Sequence, residues 1–363
     1  MTQRIHLVVA ARPNFMKVAP LWHALTAADG FTPVLIHSGQ HYDPNMSDAI
    51  LNDLRMPAPD HHLGVGSGSH AEQTGRVMIA YEAVANVDRP DWLVVVGDVN
   101  TTVACAMVAT KNGFPVVHLE AGLRSRDRTM PEEINRLITD AIADVLWTPS
   151  PDADENLAAE GVEKTRITRV GNVMMDSFEL VRPAIEAADR AGTLGLLRGA
   201  YGVVTLHRPS NVDEPAQLRS LVDALVAVQA RLPIVFPVHP RTAAKLADGG
   251  RARLEEAGVL LVEPESYIGF MSLVAGAAAV ITDSGGVQEE TTYLGIPCLT
   301  LRDNTERPIT VSEGTNRLVG AETLAAELDA ALATPAGAHR KPDLWDGRTA
   351  ERCVADLRRR SQT

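Results

Sequence analysis

The fold of this chain is decided by one stretch, residues 277–290, which consists of Ala-Ala-Ala-Val-Ile-Thr-Asp-Ser-Gly-Gly-Val-Gln-Glu-Glu. An apolar run of strand length leads into Ser284, Gly285 and Gly286, and a helical composition follows. Backbone N–H groups and the helix dipole at such a helix start favour a phosphate, and glycine lets the backbone approach it closely. Glu290, about one and a half turns into the helix, could turn its carboxylate toward ribose hydroxyls. A plain strand–helix turn with Ser284 or Asp283 as N-cap explains the same residues, so the stretch alone leaves both interpretations open.

The rest of the chain repeats this strand–helix order in two halves. The predicted strands are 5–10, 31–37, 93–96, 115–118 and 146–148, then 203–206, 234–238, 259–262, 280–282 and 298–301. Such alternation predicts an α/β protein with two Rossmann-like doubly wound domains, which we expect to face each other across a cleft. The predicted domains are residues 1–168 and 169–345, and a C-terminal helix in 346–363 is expected to pack back on the N-terminal domain.

Size and composition narrow the class of protein. A chain of 363 residues with 45% hydrophobic and 22% charged residues is an ordinary globular composition and is long enough for two cores. A net charge of −12 argues against nucleic-acid binding, and no apolar run is as long as a membrane span. Three scattered cysteines show no metal-ligand spacing and no disulfide framework. We therefore expect a cytoplasmic protein without a metal, a membrane partner or a nucleic-acid partner.

Charged residues and histidines follow the predicted strands, where doubly wound sheets bind their ligands. Glu120 interrupts the end of a strand that should be buried, and a buried carboxylate needs a partner. Asp98 is equally well explained as a helix cap, and Glu132 and Arg136 as an acidic first turn with an i,i+4 ion pair. His207 ends a strand beside an arginine, which favours a function over a core role. Together these side chains fit acid/base chemistry on an anionic ligand.

The order of the motifs is more specific than any one of them. They are Arg12-Pro with Lys17, Gly97-Asp98 with Thr101-Thr102, His118-Leu-Glu120-Ala-Gly-Leu-Arg124, Pro131-Glu132-Glu133-Ile-Asn-Arg136, His207-Arg208, Pro237-Val-His239, Thr282-Asp-Ser-Gly-Gly-Val-Gln-Glu-Glu290, Arg302-Asp-Asn-Thr-Glu-Arg307-Pro308 and Gly314-Thr315-Asn316. This series closely resembles the non-hydrolysing UDP-N-acetylglucosamine 2-epimerases, over roughly residues 4–335.

The resemblance implies a GT-B-like fold, no added cofactor, a homodimer, and interconversion of UDP-GlcNAc and UDP-ManNAc. UDP would be eliminated across C1–C2 to give 2-acetamidoglucal and then added back. The implied acid/base and sugar-contacting residues are Asp98, Glu120, Glu132 and His207, and the resemblance does not say which carboxylate removes the C2 proton. The implied substrate and UDP ligands are Arg12, Lys17, Arg136, His239, Phe270 near the uracil, Ser284, Gly285, Gly286, Glu290 on the ribose, and Arg307.

The chain departs from the family pattern at three places. Asn14 stands where members often carry glutamate, and residues 42–46 and 64–70 differ from the version that commonly builds a regulatory UDP-GlcNAc site. The resemblance therefore does not extend to that site, and a modified UDP-hexosamine stays open as substrate. The alternatives on the same architecture are a glycosyltransferase, a hydrolysing variant that releases the free sugar, and a non-catalytic nucleotide-sugar sensor.

Overall fold

The computed structural model describes residues 2–39, 51–335 and 339–362, with the side chain of Arg12 outside the description. This chain forms two compact units. The first contains the residues up to 180 together with those from 343 onward, and the second contains residues 181–342. Each unit has its own parallel sheet with helices between the strands, so the predicted class of two Rossmann-like α/β domains is confirmed.

The first unit is a seven-stranded parallel sheet with its crossover helices, counted over the described residues. Its elements are β1 (Gln3–Val9), α1 (Arg12–Ala27), β2 (Phe31–His37), β3 (His61–His62), α2 (His70–Val87), β4 (Trp92–Val96), α3 (Asn100–Lys111), β5 (Val116–Leu119), α4 (Pro131–Ile142), β6 (Val145–Thr148), α5 (Pro151–Ala159), β7 (Ile167–Arg169) and α6 (Val173–Ala188), which continues into the second unit. The strand order is β3-β2-β1-β4-β5-β6-β7. The order reverses between β1 and β4, which is the topological switch point where such sheets bind ligands.

The second unit repeats this plan with six strands in its described part. Its elements are α7 (Arg190–Thr193), β8 (Gly202–Thr205), α8 (Pro209–Val212), α9 (Pro215–Gln229), β9 (Ile234–Pro237), α10 (Pro240–Leu246), α11 (Gly250–Glu256), β10 (Leu260–Val262), α12 (Tyr267–Ala275), β11 (Ala279–Thr282), α13 (Gly285–Leu294), β12 (Cys298–Thr300), α14 (Ile309–Ser312), β13 (Asn316–Leu318) and α15 (Leu324–Leu332). The order is β10-β9-β8-β11-β12-β13, so β8 and β11 flank its switch point.

Local sequence explains both the central strands and the helix starts. Leu93–Val96 in β4 is an apolar run that is buried throughout, as expected for a strand covered by helices on both faces. α2 begins with a capping box, in which the Ser69 hydroxyl accepts from the Glu72 N–H and the Glu72 carboxylate accepts from the Ser69 N–H. Hydrophobic periodicity alone would begin this helix at Glu72, because the polar capping residues are not part of the apolar pattern.

Three strands were not predicted, and all of them lie at or next to a sheet edge. β3, β7 and β13 are two or three residues long, and most of their side chains are only partly buried or exposed. A strand this short shows no alternation of apolar and polar residues, so only its pairing identifies it. The sequence pattern of residues 131–145 is typical of one continuous helix, but α4 ends at Ile142, because Val145 already pairs with Val117 in the sheet.

The C-terminal helix α16 (Thr349–Arg360) packs on the first unit. The indole N–H of the fully buried Trp147 donates to Asp356 Oδ2 at 2.9 Å, and Arg360 Nε donates to the same oxygen at 2.8 Å. The Ala350 N–H donates to Asp176 at the helix start, also at 2.8 Å. The buried carboxylate of Asp356 thus joins the end of the chain to β6.

Cys105, Cys298 and Cys353 are buried free thiols. None of the helices within residues 2–39, 51–335 and 339–362 combines the length and the hydropathy that a membrane crossing requires.

The Asp356 contact predicts a stability difference between two substitutions on α16. Asp356→Ala leaves the buried Trp147 N–H without its acceptor, so we expect it to lower the free energy of unfolding by about 1–3 kcal/mol. Glu351→Ala is the control, since Glu351 forms only an exposed ion pair with Arg348 and should cost at most about 1 kcal/mol. Urea unfolding followed by circular dichroism measures both. Equal losses would show that Asp356 does not hold the helix.

Candidate functional site

The N-terminal site lies at the switch point between β1 and β4, and it includes the end of the neighbouring β5. Glu120 follows β5 directly, is buried and has a φ of +71°, a region that residues other than glycine rarely adopt. Lys17 on α1 donates to its Oε2, and Arg136 on α4 lies 3.9 Å from the same oxygen. Two cations from two helices therefore compensate one buried carboxylate, and they favour its ionised form.

Asp98 follows β4 and shares Arg136 with Glu120. Arg136 Nη2 donates to Asp98 Oδ2 at 2.6 Å, and the Asn135 side chain donates to the Asp98 carbonyl at 2.9 Å. The Arg136 side chain is buried, whereas the Asp98 side chain keeps 29% of its surface exposed. The two predicted carboxylates Asp98 and Glu120 are thus brought together around one guanidinium, with Asp98 the more accessible of the two.

Gly97 separates these groups with no side chain of its own. A Cβ at this position would lie 3.4 Å from Glu120 Oε2 and 3.5 Å from Lys17 Nζ. Asn14 lies next to it, where its Oδ1 accepts from the Ala11 N–H at 3.0 Å and its Nδ2 donates to the Val96 carbonyl at 3.3 Å. Asn14 therefore joins the end of β1 to the end of β4. This is a structural role for the position at which the family pattern often has glutamate.

The two glutamates at the start of α4 differ in environment. Glu132, the predicted one, is exposed in the first turn. Glu133 is buried and accepts from the Ser125 N–H at 2.8 Å and from the Arg126 N–H at 3.2 Å. Glu133 holds the segment before α4, a role that sequence reasoning missed because both residues fit the helix dipole equally well. Arg12 begins α1, and its side chain lies outside the description.

The C-terminal site lies at the second switch point, where His207 follows β8 and Asp283 follows β11. Asp283 Oδ1 lies 2.9 Å from His207 Nδ1, and Oδ2 accepts from the backbone N–H groups of His207 at 3.0 Å and of Arg208 at 2.9 Å. Burial alone would raise the pKa of Asp283, but His207 and these N–H groups hold it below its ordinary value. The ionised Asp283 thus fixes the His207 ring and directs Nε2 away from itself.

His239 is the exposed N-cap of α10, with its ring centroid 5.8 Å from that of His207. Partial burial lowers its pKa, and the neighbouring His207 and Arg241 lower it further. His239 is therefore a neutral neighbour of His207 at physiological pH.

Residues 277–290 predicted a strand followed by a helix that begins at the glycines, and α13 does begin at Gly285, shortly after β11. Ser284 is the N-cap, but its side chain makes no capping hydrogen bond, so the first N–H groups of the helix do not bond to it. A Cβ on Gly285 would lie 2.9 Å from Arg307 Nη1, so the guanidinium lies directly beside this helix start. Arg307 is held by Glu289, 2.8 Å from its Nε. Gly286 has open space at its Cβ position.

Further arginines surround Glu306 near this helix start. Arg302 donates to both carboxylate oxygens of Glu306 at 2.8 and 2.9 Å, while Arg307 Nη1 lies at 3.7 Å and Arg208 Nη2 at 3.9 Å. Burial would raise the pKa of Glu306, but Arg302 and Arg307 lower it to about 2. Three guanidinium groups around one carboxylate form a basic cluster that is suited to a second anion such as a diphosphate.

The predicted ribose and uracil residues lie on adjacent helices of this unit. Glu290 is buried on α13, and its Oε1 accepts from the Tyr267 hydroxyl at 2.8 Å. Phe270 is partly buried on α12, one turn after Tyr267. Within residues 2–39, 51–335 and 339–362, no three His, Cys, Asp or Glu side chains are grouped so that they could hold a metal ion.

Comparisons with known proteins show which family the chain resembles. A family model described as UDP-N-acetylglucosamine 2-epimerase matches residues 23–358. The UDP-N-acetylglucosamine 2-epimerase of Methanocaldococcus jannaschii is 39% identical over 324 residues, which cover 87% of this chain and 88% of that protein. The UDP-2,3-diacetamido-2,3-dideoxy-D-glucuronate 2-epimerase of Pseudomonas aeruginosa is also 39% identical, over 323 residues that cover 88% of each chain.

Solved structures give the same result. The M. jannaschii UDP-GlcNAc 2-epimerase in complex with UDP-GlcNAc and UDP matches with a TM-score of 0.87 and 38% identity, over 98% of this chain and 99% of that one. The UDP-GlcNAc 2-epimerase of Neisseria meningitidis bound to UDP-GlcNAc matches with a TM-score of 0.87 and 25% identity, over 98% of this chain and 100% of that one.

The lowered pKa of Asp283 predicts how its contribution to stability depends on pH. A folded-state pKa below the ordinary value of about 3.9 stabilises the fold above that pH, and the gain is lost as the pH falls through the lowered value. Asp283→Asn should therefore lower the free energy of unfolding by about 1–3 kcal/mol at neutral pH. The difference in free energy of unfolding between the variant and the wild type should become smaller in acid. Urea titrations at a series of pH values measure this. A gap that stays constant with pH would contradict the assignment.

Proposed function

The chain belongs to the UDP-N-acetylglucosamine 2-epimerase family, and on that premise we propose that it is a non-hydrolysing epimerase that interconverts UDP-GlcNAc and UDP-ManNAc. The observation that carries the proposal is the buried Glu120, paired with Lys17 and sharing Arg136 with Asp98. An ionised carboxylate at the carboxyl end of a Rossmann-like sheet is a suitable acceptor for a proton.

The proposed reaction is an anti elimination followed by re-addition. A carboxylate takes the proton from C2, the C1–C2 double bond forms, and the electron pair of the C1–O bond leaves with UDP. The product, 2-acetamidoglucal, stays bound. A proton then returns to C2 from the opposite face while a UDP oxygen adds to C1. Asp98, Glu120 and Glu132 are the candidates for the proton transfers, and the geometry favours the first two because they share a guanidinium, whereas Glu132 is exposed.

We assign the UDP part to the C-terminal unit. The phosphates would meet the N–H groups of Ser284, Gly285 and Gly286 at the start of α13, with Arg307 beside them. Glu290 would hold the ribose and Phe270 would lie near the uracil. His207, oriented by Asp283, would stabilise the charge that develops on the departing phosphate, with His239 as its neighbour. The assignment of Arg12 to substrate binding rests on the family resemblance alone.

We also infer a homodimer that works in the cytoplasm. Ile79 and Val87 on α2 are large apolar side chains exposed to solvent, and a second copy of the chain could cover them. The three buried thiols are the form that cysteines keep in a reducing compartment.

A modified UDP-hexosamine is the second candidate substrate. It is favoured by one observation, the 39% identity to the P. aeruginosa enzyme, whose name gives a diacetamido glucuronate sugar. This value equals the identity to the M. jannaschii UDP-N-acetylglucosamine 2-epimerase, so overall identity does not choose between the two sugars.

Incubation in D2O with a panel of UDP-hexosamines decides both reaction type and sugar. We expect UDP-GlcNAc to incorporate deuterium at C2 as UDP-ManNAc appears, because the proton that returns comes from exchangeable groups. NMR of the sugar protons measures this. Exchange only with a diacetamido uronate sugar would select the modified substrate. Release of the free sugar would select a hydrolase, transfer to an added acceptor a glycosyltransferase, and UDP binding without turnover a sensor.

Substitution of the candidate residues tests their assignment. Asp98→Asn, Glu120→Gln and His207→Asn should each lower kcat by about 10²–10⁴-fold, the usual contribution of an acid/base group or of one charge-stabilising donor. Glu155→Gln, an exposed glutamate on α5, is the control and should leave kcat unchanged. Initial rates of epimerisation measure all four. If all three candidate variants kept the wild-type kcat, the chemistry would lie elsewhere in the protein.

A further inference from the structure

Beneath the two carboxylates lies a buried histidine whose two ring nitrogens are both engaged. His118, in β5, is fully buried, with Nε2 2.8 Å from the carbonyl oxygen of Gly97 and Nδ1 2.6 Å from Asp140 Oδ1. A carbonyl oxygen only accepts hydrogen bonds, so Nε2 carries a proton. The protonation of Nδ1 then depends on the charge of Asp140.

Asp140 is surrounded by donors. Its Oδ2 accepts from the Gly122 N–H at 3.1 Å and lies 2.7 Å from Arg124 Nη1. Arg124 and the Gly122 N–H, which do not depend on the state of His118, favour the ionised form of the Asp140 carboxylate. An ionised carboxylate only accepts hydrogen bonds, so Nδ1 of His118 must donate as well. Both ring nitrogens therefore carry protons, and the ring is an imidazolium.

The charges of this cluster balance. Besides Asp140, Arg124 pairs with Glu160, which lies 2.6 Å from its Nη2. Two cations and two anions thus form a chain that runs from the buried His118 to the partly exposed Glu160. This compensation makes a buried imidazolium compatible with a stable fold, because each charge has a hydrogen-bonded partner of opposite sign.

The His118–Asp140 pair holds the backbone on both sides of the candidate carboxylates. Gly97, whose carbonyl His118 binds, directly precedes Asp98. His118 and Gly122 lie two residues before and two residues after Glu120, and Asp140 binds both of them. Glu120 has a backbone conformation that persists only where its surroundings impose it. One carboxylate–imidazole pair therefore fixes the positions of two reacting groups.

We propose that His118, kept as an imidazolium by Asp140, is a positioning residue that sets the geometry of Asp98 and Glu120 together. It does not touch the substrate, and it acts through the Gly97 carbonyl and the loop that carries Glu120. The kinetic consequence rests on the proposed epimerase function, whereas the protonation of His118 does not.

The protonation state is tested by NMR on wild-type protein with 15N-labelled histidines. The chain has 11 histidines, so His118 is assigned as the pair of signals that disappears in His118→Gln. Because both nitrogens face hydrogen-bond acceptors, both should show the shifts of protonated imidazolium at neutral pH. A neutral tautomer at that pH would overturn the proposal, whatever the enzyme's activity.

Kinetics of three variants test the positioning role. His118→Gln, His118→Asn and Asp140→Asn should lower kcat by up to about 10²-fold with little change in KM, because the displaced groups act in the transition state. The glutamine variant should retain more activity than the asparagine variant, since its amide can take the place of Nε2 and donate to the Gly97 carbonyl. This rescue by the longer amide would not follow from a general loss of packing.

His6→Gln is the matched control, because His6 is an equally buried histidine in β1 of the same sheet and lies beside Tyr81. It should lower thermal stability as much as His118→Gln while leaving kcat unchanged. Equal kcat losses in the two variants, or a wild-type kcat in His118→Gln, would contradict the positioning role. Absence of epimerisation in the wild type would refute the proposed function instead, and the NMR result would still decide the state of His118.

Discussion

The pairing of Glu120 with Lys17 is the interaction on which the N-terminal site depends. A carboxylate buried at a strand end is tolerated only with a cation beside it, and breaking such a buried pair typically costs about 3–5 kcal/mol. The two cations near Glu120 come from α1 and α4, which cross the sheet beside β1 and β5. The charge that we assign to proton transfer therefore also joins these helices to the sheet. The Glu120 carboxylate therefore contributes both to the proposed proton transfer and to the stability of the fold.

In the C-terminal unit the charges are reversed, since the groups suited to a ligand are cations and buried carboxylates compensate them. Its basic groups are the ones suited to an anionic ligand, and each is held in place by a buried carboxylate: His207 by Asp283, Arg307 by Glu289 and Arg302 by Glu306. Glu306 keeps these guanidinium groups together although they repel one another, and the neighbouring charges keep it ionised. On our assignment, a diphosphate at Arg307 would compete with an internal carboxylate. The affinity for the UDP part of the substrate would then be a difference between two ion-pair arrangements.

The sequence predicts the repeating strand–helix units of this molecule well, but it predicts the edge strands and the partners of the site residues poorly. The central strands and their helices follow from apolar runs and periodicity, and the fold class follows from their alternation. The edge strands β3, β7 and β13 carry no such signal, because pairing rather than pattern makes them strands. Strand ends pointed to Asp98, Glu120 and His207, but not to the partners that define their chemistry. Lys17 and Arg136 are far from Glu120 in sequence, and Asp140 appears there as one polar residue on an amphipathic helix.

An acidic sugar and an uncharged sugar would interact differently with the charges already present at the N-terminal site. The described cations there are Lys17 and Arg136, and both already pair with a carboxylate of the protein. A uronate sugar placed beside Asp98 and Glu120 would bring one more negative charge to this site and would compete with one of them for its cation. Loss of that cation would favour the protonated carboxyl, which cannot accept the C2 proton. An uncharged hexosamine would leave both of these pairs intact.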